Sequence, residues 1–405
     1  MITRKIVMIK EEEQVSTFLL ENDTIVEIHC AAQVAGKKTC HRLGNIYIGK
    51  VKNIVPNIGA AFIEVESGVE CYYDLTQAEN ALFTSKTGKK SLCIGDELVV
   101  QISKEAVKTK APTVSSNLSF TGRYAVLTTG NTRIGTSGKL PKAQKQYYKE
   151  LLLPFQNDEY GLIIRTNAKD ASFESVIDEI HSLQDTYREL KRISATRTCF
   201  SCLLQAPPAY ITDLKNVYTE GLTEIIIEDP DLFHQVEKYF ITEQPEDLDK
   251  LRLYQDDLLP LSRLYSTQTA LDNALGEKVW LKSGGYLVIQ YTEALTVIDV
   301  NSGKCGTKKK AADTYLKINL EAAMETARQM RLRNLSGIII VDFINLDNEA
   351  DEQVLLKELR QALLADPIQT SLVDVTALQL VELTRKKVRK PLYECVKRQI
   401  GKDRN

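Results

Sequence analysis

The stretch from Tyr291 to Lys304, YTEALTVIDVNSGK, constrains this chain more than any other. Leu295, Val297 and Val300 sit among short and β-branched residues that suit a buried strand. Asp299 and Asn301 then emerge at its C-terminal end, two positions apart and on the same side. A second apolar run, Ile338-Ile339-Ile340-Val341, ends in Asp342. A carboxylate closing such a run is costly unless it meets a metal, a donor or water. Brought together at neighbouring strand ends, Asp299 and Asp342 suit one hard divalent cation such as Mg2+, with Asn301 fixing a carboxylate or a water. Each aspartate alone fits equally well as a cap for the loop or helix that follows.

A chain of 405 residues exceeds a single ordinary core, so about two to four domains are expected. No apolar run approaches the length of a bilayer span. The N-terminus, MITRKIVMIKEEE, turns acidic where a signal peptide carries its apolar core, which points to a cytoplasmic protein. Eight cysteines, scattered singly apart from Cys199 and Cys202, read as free thiols in a reducing compartment. The CFSC run lies in an apolar segment with no further ligands nearby, so buried thiols are expected there. His29, Cys30, Cys40 and His41 invite a zinc reading, but their order matches no usual finger spacing and structural zinc is not expected.

The net charge of −2, from 52 basic and 54 acidic residues, hides an uneven distribution. Nine basic residues (Arg385, Lys386, Lys387, Arg389, Lys390, Lys397, Arg398, Lys402, Arg404) crowd the end of the chain, and Lys304, Lys308, Lys309 and Lys310 follow the candidate site. Charge runs are usually solvated faces. Beside a metal site they also suit a polyanionic substrate.

In chain order, the first 28 residues alternate as antiparallel strands with a turn at Glu21-Asn22-Asp23. From Gly44 to Leu75, short β runs separated by turn residues, joined by Leu98 to Ile102, argue for a small OB-type barrel. Phe62 and Tyr72 fall on adjoining strands, where they either join the core or face out to stack bases. Lys104 to Lys110 is a basic exit from the barrel, and further strands at 124–127 and 161–164 lead into Arg165-Thr166, a pair that suits either a phosphate or an ordinary salt bridge. Val176, Ile180, Leu183, Tyr187 and Leu190 mark a long amphipathic helix. Residues 209–272 alternate helix and strand, an α/β piece suited to complete the sheet begun by the N-terminal strands. The last third places strands at 285–290, 295–300 and 338–341 and helices at about 314–333 and 352–364. The first of these helices should bury Leu316, Leu320, Ala323 and Ala327 and expose Arg328, Arg331 and Arg333.

Gly49-Lys50-Val51-Lys52-Asn53-Ile54 with Ala60-Ala61-Phe62 resembles the opening of an S1 RNA-binding domain. Together with GLIIRTNA at 161–168, SGGYLVIQYTEALTVIDVNSGK at 283–304 and NLEAAMETARQMRLRNLSGIIIVDFINL at 319–346, it resembles the ribonuclease E/G family of bacterial endoribonucleases across nearly the whole chain. The resemblance implies an α+β multidomain fold: an RNase H-like subdomain split into 1–38 and 208–272, an inserted S1 domain at 39–117, a 5′-sensor domain at 118–207, and a DNase I-like catalytic domain at 273–405 with a basic tail. It implies catalytic Mg2+, with Mn2+ as an alternative, on Asp299 and Asp342 with Asn301 assisting. It also implies a 5′-monophosphate sensor at Gly122, Val126, Arg165 and Thr166, and RNA contacts at Phe62, Tyr72 and Lys110. Single-stranded RNA, including ribosomal precursors and messenger RNA, would be the partner. In the family a CPxC zinc-link follows the segment that here is 380–405, where only Cys395 appears, so a homo-oligomer that is not zinc-linked is expected.

Catalysis is the leading expectation, because a binding protein has no need of two metal carboxylates. A non-catalytic S1-type RNA-binding or ribosome-assembly factor is the alternative from another class. A DNA-specific nuclease would rest on topology alone.

Overall fold

The structure is a computed structural model in which strands form where short apolar and β-branched runs alternate with turn residues. It describes residues 2–12, 14–32, 42–84, 91–106, 111–217, 221–303 and 311–400, the last with side chains from 314 to 396. Two compact units emerge, one from residues 1–33 and 219–405, the other from 34–218.

The first unit contains two sheets. The five-stranded sheet runs Leu251–Leu253, Leu222–Ile227, Arg4–Glu11, Gln14–Glu21, Thr24–Ala32. Asn22 and Asp23, both at positive φ (47° and 61°), make the tight turn between its last two strands. The Leu222–Ile227 strand pairs in parallel with Arg4–Glu11, so the 209–272 region does complete the N-terminal sheet. The six-stranded sheet runs Lys278–Trp280, Tyr286–Tyr291, Leu295–Asn301, Gly337–Asp342, Val381–Arg385, Thr370–Val375. The helices Ala311–Leu332 and Glu349–Leu363 supply Ile318, Ala322, Met330, Leu355 and Leu359 to the core against Leu287, Ile298, Ile339 and Val341 on one face of that sheet.

Arginines that suggest a solvated surface are internal here. Arg333 is 0% exposed, donating to Gln329, to the Gly276 and Asn273 carbonyls and to the Tyr291 hydroxyl. Arg331 pairs with Glu21 and Glu27. Burial pushes the Glu21 carboxyl up, but the Arg331 and Arg4 guanidiniums outweigh it and hold it below its ordinary value. Ile318 and Ala322 of that helix are fully buried, whereas Leu316 and Leu320 are half-buried. Arg385 likewise leaves the basic tail for the interior, forking onto Asp366 at 2.6 and 3.2 Å and donating to Asn334 and the Leu335 carbonyl. Arg389 bonds His29 at 2.8 Å; burial and then the nearby guanidiniums push the imidazole pKa well down, so His29 is neutral and accepts. Lys304, Lys308 to Lys310, Lys402 and Arg404 lie outside the described residues, as do the side chains of Lys397 and Arg398.

In the second unit, Ile46–Val55, Ala60–Glu66, Val69–Asp74, Thr113–Ser115 and Glu97–Lys104 close into a five-strand barrel through the pairing of the first with the last. Its core is Val51, Ala61, Ile63, Val65, Tyr73, Leu98 and their neighbours. A four-stranded sheet, Ile134–Thr136, Gly161–Ile164, Ala125–Thr128, Ser119–Thr121, packs on the helix Phe173–Ser194. The Cys202–Leu204 strand adds to the barrel's edge. That edge position leaves Cys202 exposed and Cys199 half-buried, so the expected buried thiols are not observed.

Removing one partner of the Arg385–Asp366 pair strands a buried charge. Asp366→Ala should therefore lower the stability of the first unit by about 3–5 kcal/mol in urea unfolding. A loss under about 1 kcal/mol, the ordinary worth of an exposed ion pair, would contradict this placement.

Candidate active site

Alternation along Leu295–Asn301 sends Thr296, Ile298 and Val300 inward, leaving Asp299 and Asn301 half-buried on the opposite face. Along Gly337–Asp342 the buried positions are Ile339 and Val341, and Asp342 is exposed. The two strands pair in parallel with Asp299 opposite Asp342. Parallel neighbours lie about 4.8 Å apart, so the two carboxylates flank one space at the strand ends. Asn301 donates from Nδ2 to Asp299 Oδ2 at 2.6 Å, which fixes that carboxylate's rotation.

Three supports around these residues carried no obvious sequence signal. Asn319, 0% exposed, donates to the Ile344 carbonyl at 2.7 Å and accepts from the Ile344 amide at 3.1 Å, clamping the chain just after Asp342. Its one trace is a polar residue within the apolar stripe of Ala322, Ala323 and Ala327. Glu321 accepts from the Lys282 and Ser283 amides at 2.5 and 3.0 Å. Burial pushes its carboxyl up, but the Ser283 hydroxyl and those two amides bring it below its ordinary value. Gly303 holds φ +61°, and a Cβ there would sit 2.5 Å from the Gly284 carbonyl, so only glycine lets the strand end pass the 283–285 turn.

The donor set fits a hard cation: two carboxylates and no sulfur or imidazole, with the remaining positions open to water and phosphate oxygens as Mg2+ prefers. Among the described residues no group of three or more His, Cys, Asp or Glu is placed to hold a metal. Of the candidate zinc set, Cys40 and His41 lie outside the described residues.

A second cluster belongs to the other unit. Arg165 donates to the Gly122 carbonyl at 2.5 Å and to Asn216 Oδ1 at 2.6 Å, and Thr166 Oγ1 lies 2.9 Å from the Ser137 hydroxyl. Val126 is carried alongside by pairing with Ile163. Asn216 and Ser137 escaped the sequence because they come from distant segments. Glu179 completes the seat, accepting from the amides of Arg123, Tyr124 and Ala125. Burial drives its carboxyl pKa up despite those three donors and Arg165. A Cβ on Gly122 would collide with this carboxylate, which its bonds prevent from moving aside.

On the barrel, Phe62 and Tyr72 are cross-strand partners in edge-to-face contact, centroids 6.4 Å apart at 87°. Both are half-buried and neither belongs to the barrel's core cluster. Lys110 lies outside the described residues.

Parallel strands ending in paired aspartates, with an asparagine steering one of them, define a candidate cation-binding site. The model of the ribonuclease E/G family matches residues 119–388. The chain is 31% identical to ribonuclease E of a Nostoc species over 399 residues, covering 96% of this chain and 57% of that protein. It is 30% identical to ribonuclease G of Haemophilus influenzae over 388 residues (92% and 77%) and to ribonuclease G of Escherichia coli over 363 (86% and 74%). The chain belongs to the ribonuclease E/G family. It spans little more than half of the Nostoc relative's length and about three quarters of the other two.

Removing the Asn319 clamp leaves two backbone groups of Ile344 without partners, at about 1–3 kcal/mol. Asn319→Ala should speed exchange of the Ile344 amide by about 5- to 150-fold under native conditions while leaving core amides of the sheet unchanged. Unchanged exchange at Ile344 would remove Asn319 from this role.

Proposed function

We propose that this chain is an Mg2+-dependent endoribonuclease that cuts single-stranded RNA and leaves 5′-phosphate and 3′-hydroxyl ends. The observation that carries it is the register of Asp299 against Asp342 with Asn301 bonded to the first. Asp299 and Asp342 would hold the ion, Mn2+ being the alternative, and Asn301 would keep the Asp299 carboxylate turned toward it. When bound, such an ion polarises a phosphate oxygen and supplies a water of lowered pKa. With water as nucleophile, in line with the departing 3′-oxygen, the ribose 2′-hydroxyl is not consumed, which sets the end chemistry. The order of the five-stranded sheet, three antiparallel strands extended along one edge by two parallel ones, supports an RNase H-like subdomain split around residues 39–207. The six-stranded sheet with its helices supports a DNase I-like catalytic domain at 273–405. The closed barrel with Phe62 and Tyr72 outside its core supports S1-type RNA contacts, joined by Lys110. The same proposal extends to a cytoplasmic role in processing ribosomal precursors and in messenger decay.

Asp299→Asn and Asp342→Asn should each abolish cleavage while RNA binding survives, because the basic and aromatic contacts remain. Cleavage within about tenfold of wild type, only about 1.4 kcal/mol of barrier, would overturn the two-carboxylate assignment. RNA binding with no metal-dependent cleavage by the wild type would favour the non-catalytic S1-type alternative.

Gly122, Val126, Arg165 and Thr166 are proposed to read a 5′-monophosphate, with the guanidinium and hydroxyl as its donors. Monophosphorylated RNA should be cut faster than triphosphorylated or 5′-hydroxyl RNA, and Arg165→Ala should erase that difference while circular RNA is cut at the wild-type rate. Equal loss on circular and monophosphorylated substrates would place Arg165 in folding or catalysis instead.

A further inference from the structure

The sheet face that bears the two aspartates also carries an aromatic pair at its edge. Trp280, the chain's single tryptophan, is 66% exposed, although an indole is among the side chains that gain most from burial. Its place follows from register. Trp280 is opposite Tyr286 and Tyr286 is opposite Asn301, while Lys278, Val288, Asp299 and Asp342 follow one another across the same four strands. Directly opposed residues share a face, so these side chains stand together, with Val279, Leu287 and Ile298 turned to the core behind them. At about 4.8 Å between strands and about 3.4 Å per residue, Trp280 lies about 12 Å from Asp299, within reach of a nucleotide adjoining a phosphate held at the aspartates.

The rings are arranged to receive a flat, anionic strand. Trp280 and Tyr286 meet at 61° with centroids 5.3 Å apart. Lys278 Nζ lies over both, 4.0 Å from the indole and 3.6 Å from the phenol centroid. Lys278 is exposed, which leaves its ammonium room to turn to a phosphate when a base takes its place. Lys282 is exposed just beyond the same edge, adding positive charge.

We propose that Trp280 and Tyr286 form a stacking subsite for the nucleobase flanking the scissile phosphate, with Lys278 meeting that nucleotide's phosphate. The proposal rests on the endoribonuclease reading of Asp299 and Asp342 and names how that site grips its substrate. Stacking uses the π-face that every base has, so the subsite tolerates any sequence and rewards single strands over duplex.

Because Trp280 is the only tryptophan, its emission reports the subsite directly. A short single-stranded oligoadenylate added to the wild-type chain in EDTA should quench it, whereas heparin, a polyanion without bases, should not. Trp280→Ala should fold normally by circular dichroism and weaken cleavage of single-stranded RNA, measured as kcat/KM, by about 5- to 150-fold, the worth of one lost stack. Trp280→Phe should restore most of it. Unchanged emission on saturation with labelled oligoadenylate, with binding followed by anisotropy, would overturn the subsite while cleavage by the same preparation upholds the nuclease reading. Quenching by oligoadenylate in a protein that never cleaves RNA in Mg2+ would uphold the subsite and remove the nuclease reading.

Discussion

The candidate site depends on one pairing, the parallel ladder between Leu295–Asn301 and Gly337–Asp342. Parallel strands need a crossover, and the helix Ala311–Leu332 supplies it. Because side chains alternate along a strand, a slip of one residue would turn either Asp299 or Asp342 into the core. That slip is opposed by every apolar contact of the sheet, since Ile298, Val300, Ile339 and Val341 would be turned out of the core with it. Functional geometry is thus a by-product of hydrophobic register. The aspartates hold their places because their neighbours are buried, and at the strand ends they meet solvent instead of the core, where an ion and water can compensate their charge.

A second layer of organisation is ionic. Arg331 on the crossover helix, Arg333 just past its end and Arg385 on the Val381–Arg385 strand tie distant parts of the first unit together, through Glu21 and Glu27, through the Gly276 carbonyl, and through Asp366. Desolvation offsets much of the attraction in such buried pairs, so breaking one by removing a single partner costs more than the intact pair contributes. They hold the helix that connects the two strands of the candidate site.

The pattern of elements around the site was legible because it rests on local periodicity. The strand ending in Asp299 and Asn301, the strand ending in Asp342 and the helix between them could all be drawn from the spacing of apolar residues. Arg333 and Arg385 were misjudged for the opposite reason: their partners lie far off in sequence, and a run of charges looks the same whether it faces water or a carbonyl. Cys202 illustrates a related limit, since an apolar neighbourhood in sequence became a strand at a sheet edge. Glu179, Asn216 and Asn319 act on backbone groups or on a side chain across the fold, interactions that no spacing encodes.

The account stands or falls on metal-assisted hydrolysis at the paired aspartates. The most direct measurement is the end chemistry of an internally labelled single-stranded RNA incubated with the purified chain, in Mg2+ and in excess EDTA. Cleavage in Mg2+ alone, with 5′-phosphate and 3′-hydroxyl termini, is the predicted result. Cleavage that persists in EDTA, or termini bearing 2′,3′-cyclic phosphate and 5′-hydroxyl, would contradict it, because the 2′-hydroxyl would then be the nucleophile and Asp299 and Asp342 would have no metal to hold.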